Sequence, residues 1–226
     1  LPDEPTGEGS RRVEWQGSTI RVPTRGTGVR LTRLMTDGTE RSVLVTTTAD
    51  GTVSVFEAQD DPAGVVEVAA TRPKPACKDG AYRLDSGPWE KTYDWWFKES
   101  TTPKGTSRTA ALAAIKRAVR NITHGRNDCG RRDRIGARSA YQGTAGKVES
   151  CFESLGFGRN VVLFGSLPRG VAGQAEVCHE FGEHGLVPTM ANVVFNKRER
   201  WATKRAGCRG RALLEEVGTH EFGHVF

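Results

Sequence analysis

The chain has 226 residues, 27% of them charged and 36% hydrophobic, with a net charge of +6. That length holds one large domain or two unequal ones. No apolar run approaches the roughly 20 residues that a membrane-spanning helix needs, so no membrane partner is expected. The charge gives acidic polymers only a weak, salt-screened attraction.

Residues 1–10 read as a flexible start, polar and without an initiator methionine. Residue 1 is therefore expected not to be where translation began. From Arg12 to about Thr71 the pattern is strand throughout. In "SVLVTTTADGTVSVFEA", Val43 and Val45 alternate with polar residues, Asp50-Gly51 supplies a turn, and Val53 and Val55 alternate again, a hairpin signature. "GVVEVAAT" adds another strand. Residues 1–71 are read as a β-rich accessory or pro-region. "RPKPACKDG" at 72–80 breaks the pattern with prolines and glycine and is taken as the linker.

Residues 81–226 alternate strands and helices. "KTYDWWFKE" reads as a first strand. Ser107 then precedes a helix whose apolar face carries Ala111, Leu112, Ile115, Ala118, Val119 and Ile122. "ARSAYQG", "NVVLFGSLP" and "MANVVFN" read as strands. Asn121-Ile122-Thr123 fits a glycosylation triplet, but its place on the helix gives it a structural reading. The arginine-rich stretches "GRNDCGRRDRIGAR" and "NKRERWATKRAGCRGR" contain one aromatic, Trp201. They read as solvated loops, and no specific nucleic-acid partner is expected.

Five cysteines, Cys77, Cys129, Cys151, Cys178 and Cys208, are scattered without a C-x-x-C pair. That spacing suits disulfides in an oxidising compartment rather than a thiolate metal cluster. The odd number leaves one thiol free or paired outside this sequence. "CHEFGEHG" carries His179, Glu180, Glu183 and His184. Its histidines are five apart, and its glycines argue for a polar loop.

The chain ends in "LEEVGTHEFGHVF". Leu213, Val217, His220 and His224 are spaced by four, three and four and are read as one helical stripe, so both imidazoles point the same way. Neutral imidazoles at this spacing can hold one zinc ion. Glu221 lies about 100° around the helix. There it can take the proton of a metal-activated water as that water attacks a carbonyl, then pass it to the leaving amine.

The same residues resemble the active-site helix of metzincin zinc metalloproteases, closest to the matrixin branch. Leu214, Val217, His220, Glu221, Gly223 and His224 match the L-x-x-V-x-x-H-E-x-G-H beginning of that pattern. The likeness extends loosely over about residues 80–226. It implies an α+β fold: a small β-rich N-terminal region, then the N-terminal half of a zincin-type catalytic domain, incomplete at its C-terminus. The family's third histidine would follow Phe226, so this polypeptide is expected to be an inactive, metal-poor fragment; an upstream third ligand would be sought first at His179 or His184. The resemblance also implies that "ANVVFN", with Val193, Val194 and Phe195, lies near the sheet edge that binds extended substrate. Cys77 could cap the zinc as the family's pro-region cysteine does, although Lys78 stands where the family has glycine. The expected protein is a secreted, monomeric zinc endopeptidase acting on a protein or peptide substrate, with one catalytic Zn2+ and no structural Ca2+ or Zn2+ assigned. The alternatives are a non-catalytic secreted β-rich protein with an incidental HExxH, and a basic polyanion-binding module.

Overall fold

The computed structural model describes residues 11–59, 89, 91–125, 138–151, 158–183 and 185–226. In chain order they form β1 (Arg12–Trp15), β2 (Ser18–Arg21), β3 (Thr27–Met35), β4 (Glu40–Thr47), β5 (Val53–Gln59), β6 (Tyr93–Phe97), α1 (Arg108–Thr123), β7 (Ser139–Thr144), β8 (Asn160–Gly165), β9 (Val171–Gly182), β10 (Gly185–Asn196), β11 (Trp201–Ala202), β12 (Ala212–Leu213) and α2 (Leu214–Val225). The class is α+β, as expected. Eight strands form one mixed sheet in the order β5-β4-β3-β9-β10-β8-β6-β7.

Local chemistry explains most of these elements. Gly51, at φ +91°, turns the chain between β4 and β5. At the start of α1 the Ser107 Oγ accepts from the Ala110 amide at 3.3 Å, an N-cap. The helix buries Ala111, Ala114, Ile115, Ala118 and Val119, and it carries the crossover between the parallel neighbours β6 and β7. Alternation sends neighbouring side chains of β9 to opposite faces. Val177 joins the core beneath the helices with Trp95, Phe164 and Phe195. Cys178 joins a second core with Trp15, Val29, Leu31, Val43 and Met190. Cys151 and Cys178 form a disulfide there.

The sheet crosses the division expected at 72–80. β3 runs antiparallel along β9 from Thr27↔Glu180 to Met35↔Val171. Arg33, fully buried on β3, secures the join: its guanidinium donates to Gln174 Oε1 on β9 at 2.8 Å, to the Gln16 carbonyl at 3.1 Å and to Ser18 Oγ at 2.5 Å. β3, β4 and β5 therefore share one sheet with the strands of the αβ region, while β1 and β2 pair with each other. The expected linker, the "GVVEVAAT" strand and Cys77 lie outside the described residues.

Two strand expectations are corrected. The described residues of "CHEFGEHG" end β9, at Gly182, and begin β10, at Gly185, with Gly182 paired to Gly185. Its glycines serve a tight hairpin rather than a loop, Gly185 taking φ +116°. Val193, Val194 and Phe195 are not at a sheet edge. β10 pairs with β9 on one side and with β8 on the other at all three residues. Its backbone has no free side to offer a peptide, and Val193 and Phe195 are buried in the core.

Candidate metal centre

α2 begins where β12 ends, and β12 is held by its pairing with β11. No side chain caps its first turn, but Glu215 and Glu216 stand there and suit the positive end of the helix dipole. Contacts with α1 fix its rotation: Arg117 Nε donates to Glu215 Oε2 at 2.6 Å, and Asn121 Nδ2 donates to Thr219 Oγ1 at 3.0 Å. Asn121 thus has the structural use expected of it. At the other end the Trp89 indole donates to the Val225 carbonyl.

The buried stripe of α2 is Leu214, Val217, Gly218, Glu221, Phe222 and Val225. This corrects the stripe read from Leu213. Counting from Leu214 turns the buried face by about 100°. His220 and His224 then flank the core half-buried, and Glu221 lies in the middle of the buried face.

The two histidines converge. Their Nε2 atoms are 3.1 Å apart. Glu40, the first residue of β4, brings Oε2 to 3.2 Å from the His220 Nε2 and 3.1 Å from the His224 Nε2. His220 and His224 hold the Glu40 carboxyl down at about 2, against the opposing effect of burial. Hydrogen bonds alone do not account for the triangle. If both rings donate to the carboxylate, two N–H groups face each other across the 3.1 Å gap. A cation at the centre removes that conflict. Zinc takes imidazole nitrogen and carboxylate oxygen at about 2.0–2.2 Å, and tetrahedral ligands at that range stand about 3.3–3.6 Å apart. The donor set fits zinc in kind and nearly in spacing, lacking a few tenths of an ångström.

Glu221 is fully buried; its carboxyl lies close to the backbone of Leu34 and Ala175, but neither contact meets full hydrogen-bond geometry. Burial raises its pKa well above the usual carboxylate range; the backbone of Leu34 opposes this, the Glu40 charge adds to it, and the backbone of Ala175 opposes it. The side chain stands over Gly173 of β9, where a Cβ would come within 2.5 Å of Glu221 Oε1. An open cavity of about 790 Å³ lies alongside, lined by Met35, Thr36 and Gly38 on one side and Val217, His220 and Arg198 on others.

The chain matches no family model, no curated protein and no solved structure.

His220 and His224 converge, while Glu221 lies on the buried face of α2 over Gly173, outside their cluster. The upstream side chain that meets the two histidines is Glu40, not His179. His179 sits buried on β9, its pKa lowered to about 4 by burial and by the charge of Arg30, against a backbone contact with Val177. His184 lies outside the described residues. Nothing in "DGTERSV" marks Glu40 as a ligand, because 180 residues separate it from His220. Cys208 is exposed and free.

Proposed function

We propose that this is a secreted, monomeric zinc-dependent endopeptidase with a zincin-type site on α2, acting on protein or peptide substrates. The convergence of His220, His224 and Glu40 on one point carries the reading. His220 and His224 would hold the ion from one helix face, and Glu40 would supply the third protein donor in the conformation described. Zinc supplies a Lewis acid and a water acidic enough to lose its proton near neutral pH. With zinc held there, Glu221 would be the residue to take that proton and pass it to the leaving amine. The Cys151–Cys178 disulfide supports an oxidising compartment.

The test pairs metal and activity. The wild type is expected to bind one equivalent of zinc, and His220→Ala with His224→Ala to bind none tightly. Glu221→Gln should keep the zinc and lose at least about a hundredfold in peptide cleavage. Calorimetry with zinc and a fluorogenic peptide assay measure both. Cleavage retained by Glu221→Gln removes the glutamate from the mechanism, and a wild type that binds no zinc removes the reading.

A further inference from the structure

We propose that the β3–β4 hairpin is a built-in occupant of the peptide site, and that Glu40 latches it to the metal. The proposal rests on the zinc reading of the same site.

Three observations converge on the hairpin. First, β3 takes up the side of β9 that faces away from β10, pairing from Thr27 to Met35. That side passes over Glu221: Gly173, beneath the Glu221 carboxyl, pairs with Leu34. An extended peptide brought to this base by main-chain pairing would need the backbone positions that β3 holds. Second, Glu221 is completely buried. A general base must reach water and substrate, so this conformation is closed to reaction. Third, Leu34 and Glu40 are cross-strand partners at the end of the hairpin. The strand that covers the base and the residue that meets the histidines therefore move together.

The tip between them is lightly held. The Asp37 carboxylate accepts from the Thr39 amide at 3.0 Å, and Met35 and Thr39 close the turn on themselves. Thr36 donates its amide to the Gly170 carbonyl at 2.7 Å. With the metal bound, Glu40 adds a far stronger tie, from the hairpin directly to α2. Opening the tip would uncover Glu221, empty a metal position and widen the neighbouring cavity in one motion. A carboxylate is suited to this use because it can be displaced by the water or carbonyl oxygen of a substrate. The occupant is a segment of this chain, and the ligand it stands in for is an extended peptide.

Hydrogen exchange of residues 34–40, zinc calorimetry and peptide cleavage at saturating zinc, on wild type and Glu40→Ala, test the proposal. Zinc is expected to slow exchange of the tip at least about tenfold in the wild type and to leave it unchanged in Glu40→Ala. The variant should bind zinc more weakly, by about 100-fold, and cleave peptide at least about tenfold faster, because the closed population is removed. Glu40→Gln, which keeps the shape of the side chain, should show the same direction and controls for misfolding. Zinc protection of the tip that survives in Glu40→Ala overturns the latch. Cleavage that is no faster in Glu40→Ala overturns the occupant, and slower cleavage makes Glu40 a ligand the working site requires. If the wild type binds no zinc, the functional reading itself has failed.

Discussion

At the scale of single residues, the chain places ionisable groups where water is scarce and uses each differently. Arg33 is buried but makes hydrogen bonds to three partners, so its charge is kept and it ties β3 to β9. His179 is buried with its Nδ1 unpartnered, and burial and the Arg30 charge lower its pKa from 6.5 to about 4. Above pH 6.5 the ring is neutral folded and unfolded, and the group imposes no pH dependence. As pH falls below that value, the unfolded chain takes up a proton that the folded chain refuses, so stability is lost until the folded ring also titrates near 4. The loss is about 2–3 kcal/mol by pH 4.5. His179→Phe keeps the volume and removes the titration. Urea unfolding of both proteins at pH 7.5 and 4.5 is expected to show the wild type losing about 2–3 kcal/mol more than the variant; equal losses would show that the ring charges freely in the fold. The same scale shows where the sequence was silent. Glu40 has the local setting of any polar residue opening a strand, and its partners are fixed only when the sheet assembles.

At the scale of elements, local pattern was a good guide. The aromatic strand at 93–97, α1 with its Ser107 cap, and the Asp50-Gly51 hairpin all follow from period and turn chemistry. Pairing is a different matter. Whether "ANVVFN" is an edge or an interior strand depends on which strand lies beside it, and no residue of β10 encodes that. The face of α2 was legible but ambiguous, since Leu213 and Leu214 each begin an apolar stripe and only packing against α1 and β9 selects the second. The selection is visible in two glycines. A Cβ at Gly218 would sit 2.9 Å from the Ala118 Cβ and 3.4 Å from the Phe195 ring, whereas one at Gly223 would meet nothing within 4 Å. Alanine gains up to about 1 kcal/mol over glycine in a helix. Overpacking costs about 1–3 kcal/mol when the neighbour cannot give, and Ala118 Cβ moves only with α1. Gly218→Ala is therefore expected to destabilise by about 1–2 kcal/mol, and Gly223→Ala to stabilise by about 0.5–1 kcal/mol. Thermal melts of the two variants check the contrast. A stabilised Gly218→Ala would mean that the helices do not approach this closely.

At the scale of the whole molecule, the sheet has two cores on opposite faces, and the disulfide belongs to the one beneath the N-terminal hairpins. Residues 12–47 contribute Trp15, Ile20, Val29, Leu31, Val43 and Val45 to it, while later residues supply Cys151, Cys178 and Met190. The helices, including α2 with its paired histidines, pack on the other core. The composition pointed to disulfides, but their pairing depends on β9 carrying Cys178 to the segment before β8, which no spacing reveals. Closing a loop of 27 residues removes chain entropy worth about 3–4 kcal/mol from the unfolded state. Replacing both cysteines with alanine should lower stability by about that amount. The loss should also be uneven. β3 and β4 depend on the second core for their inner faces, whereas β6, β8 and α1 are held by the first. Amide exchange in the double variant is therefore expected to quicken most along β3, β4 and the β9 positions that pair with β3, and least in β6 and α1. Uniform acceleration across both cores would show that the molecule unfolds as one unit. A selective loosening of β3 would show that the fold can release the strand covering Glu221 while keeping α2 and its histidines in place.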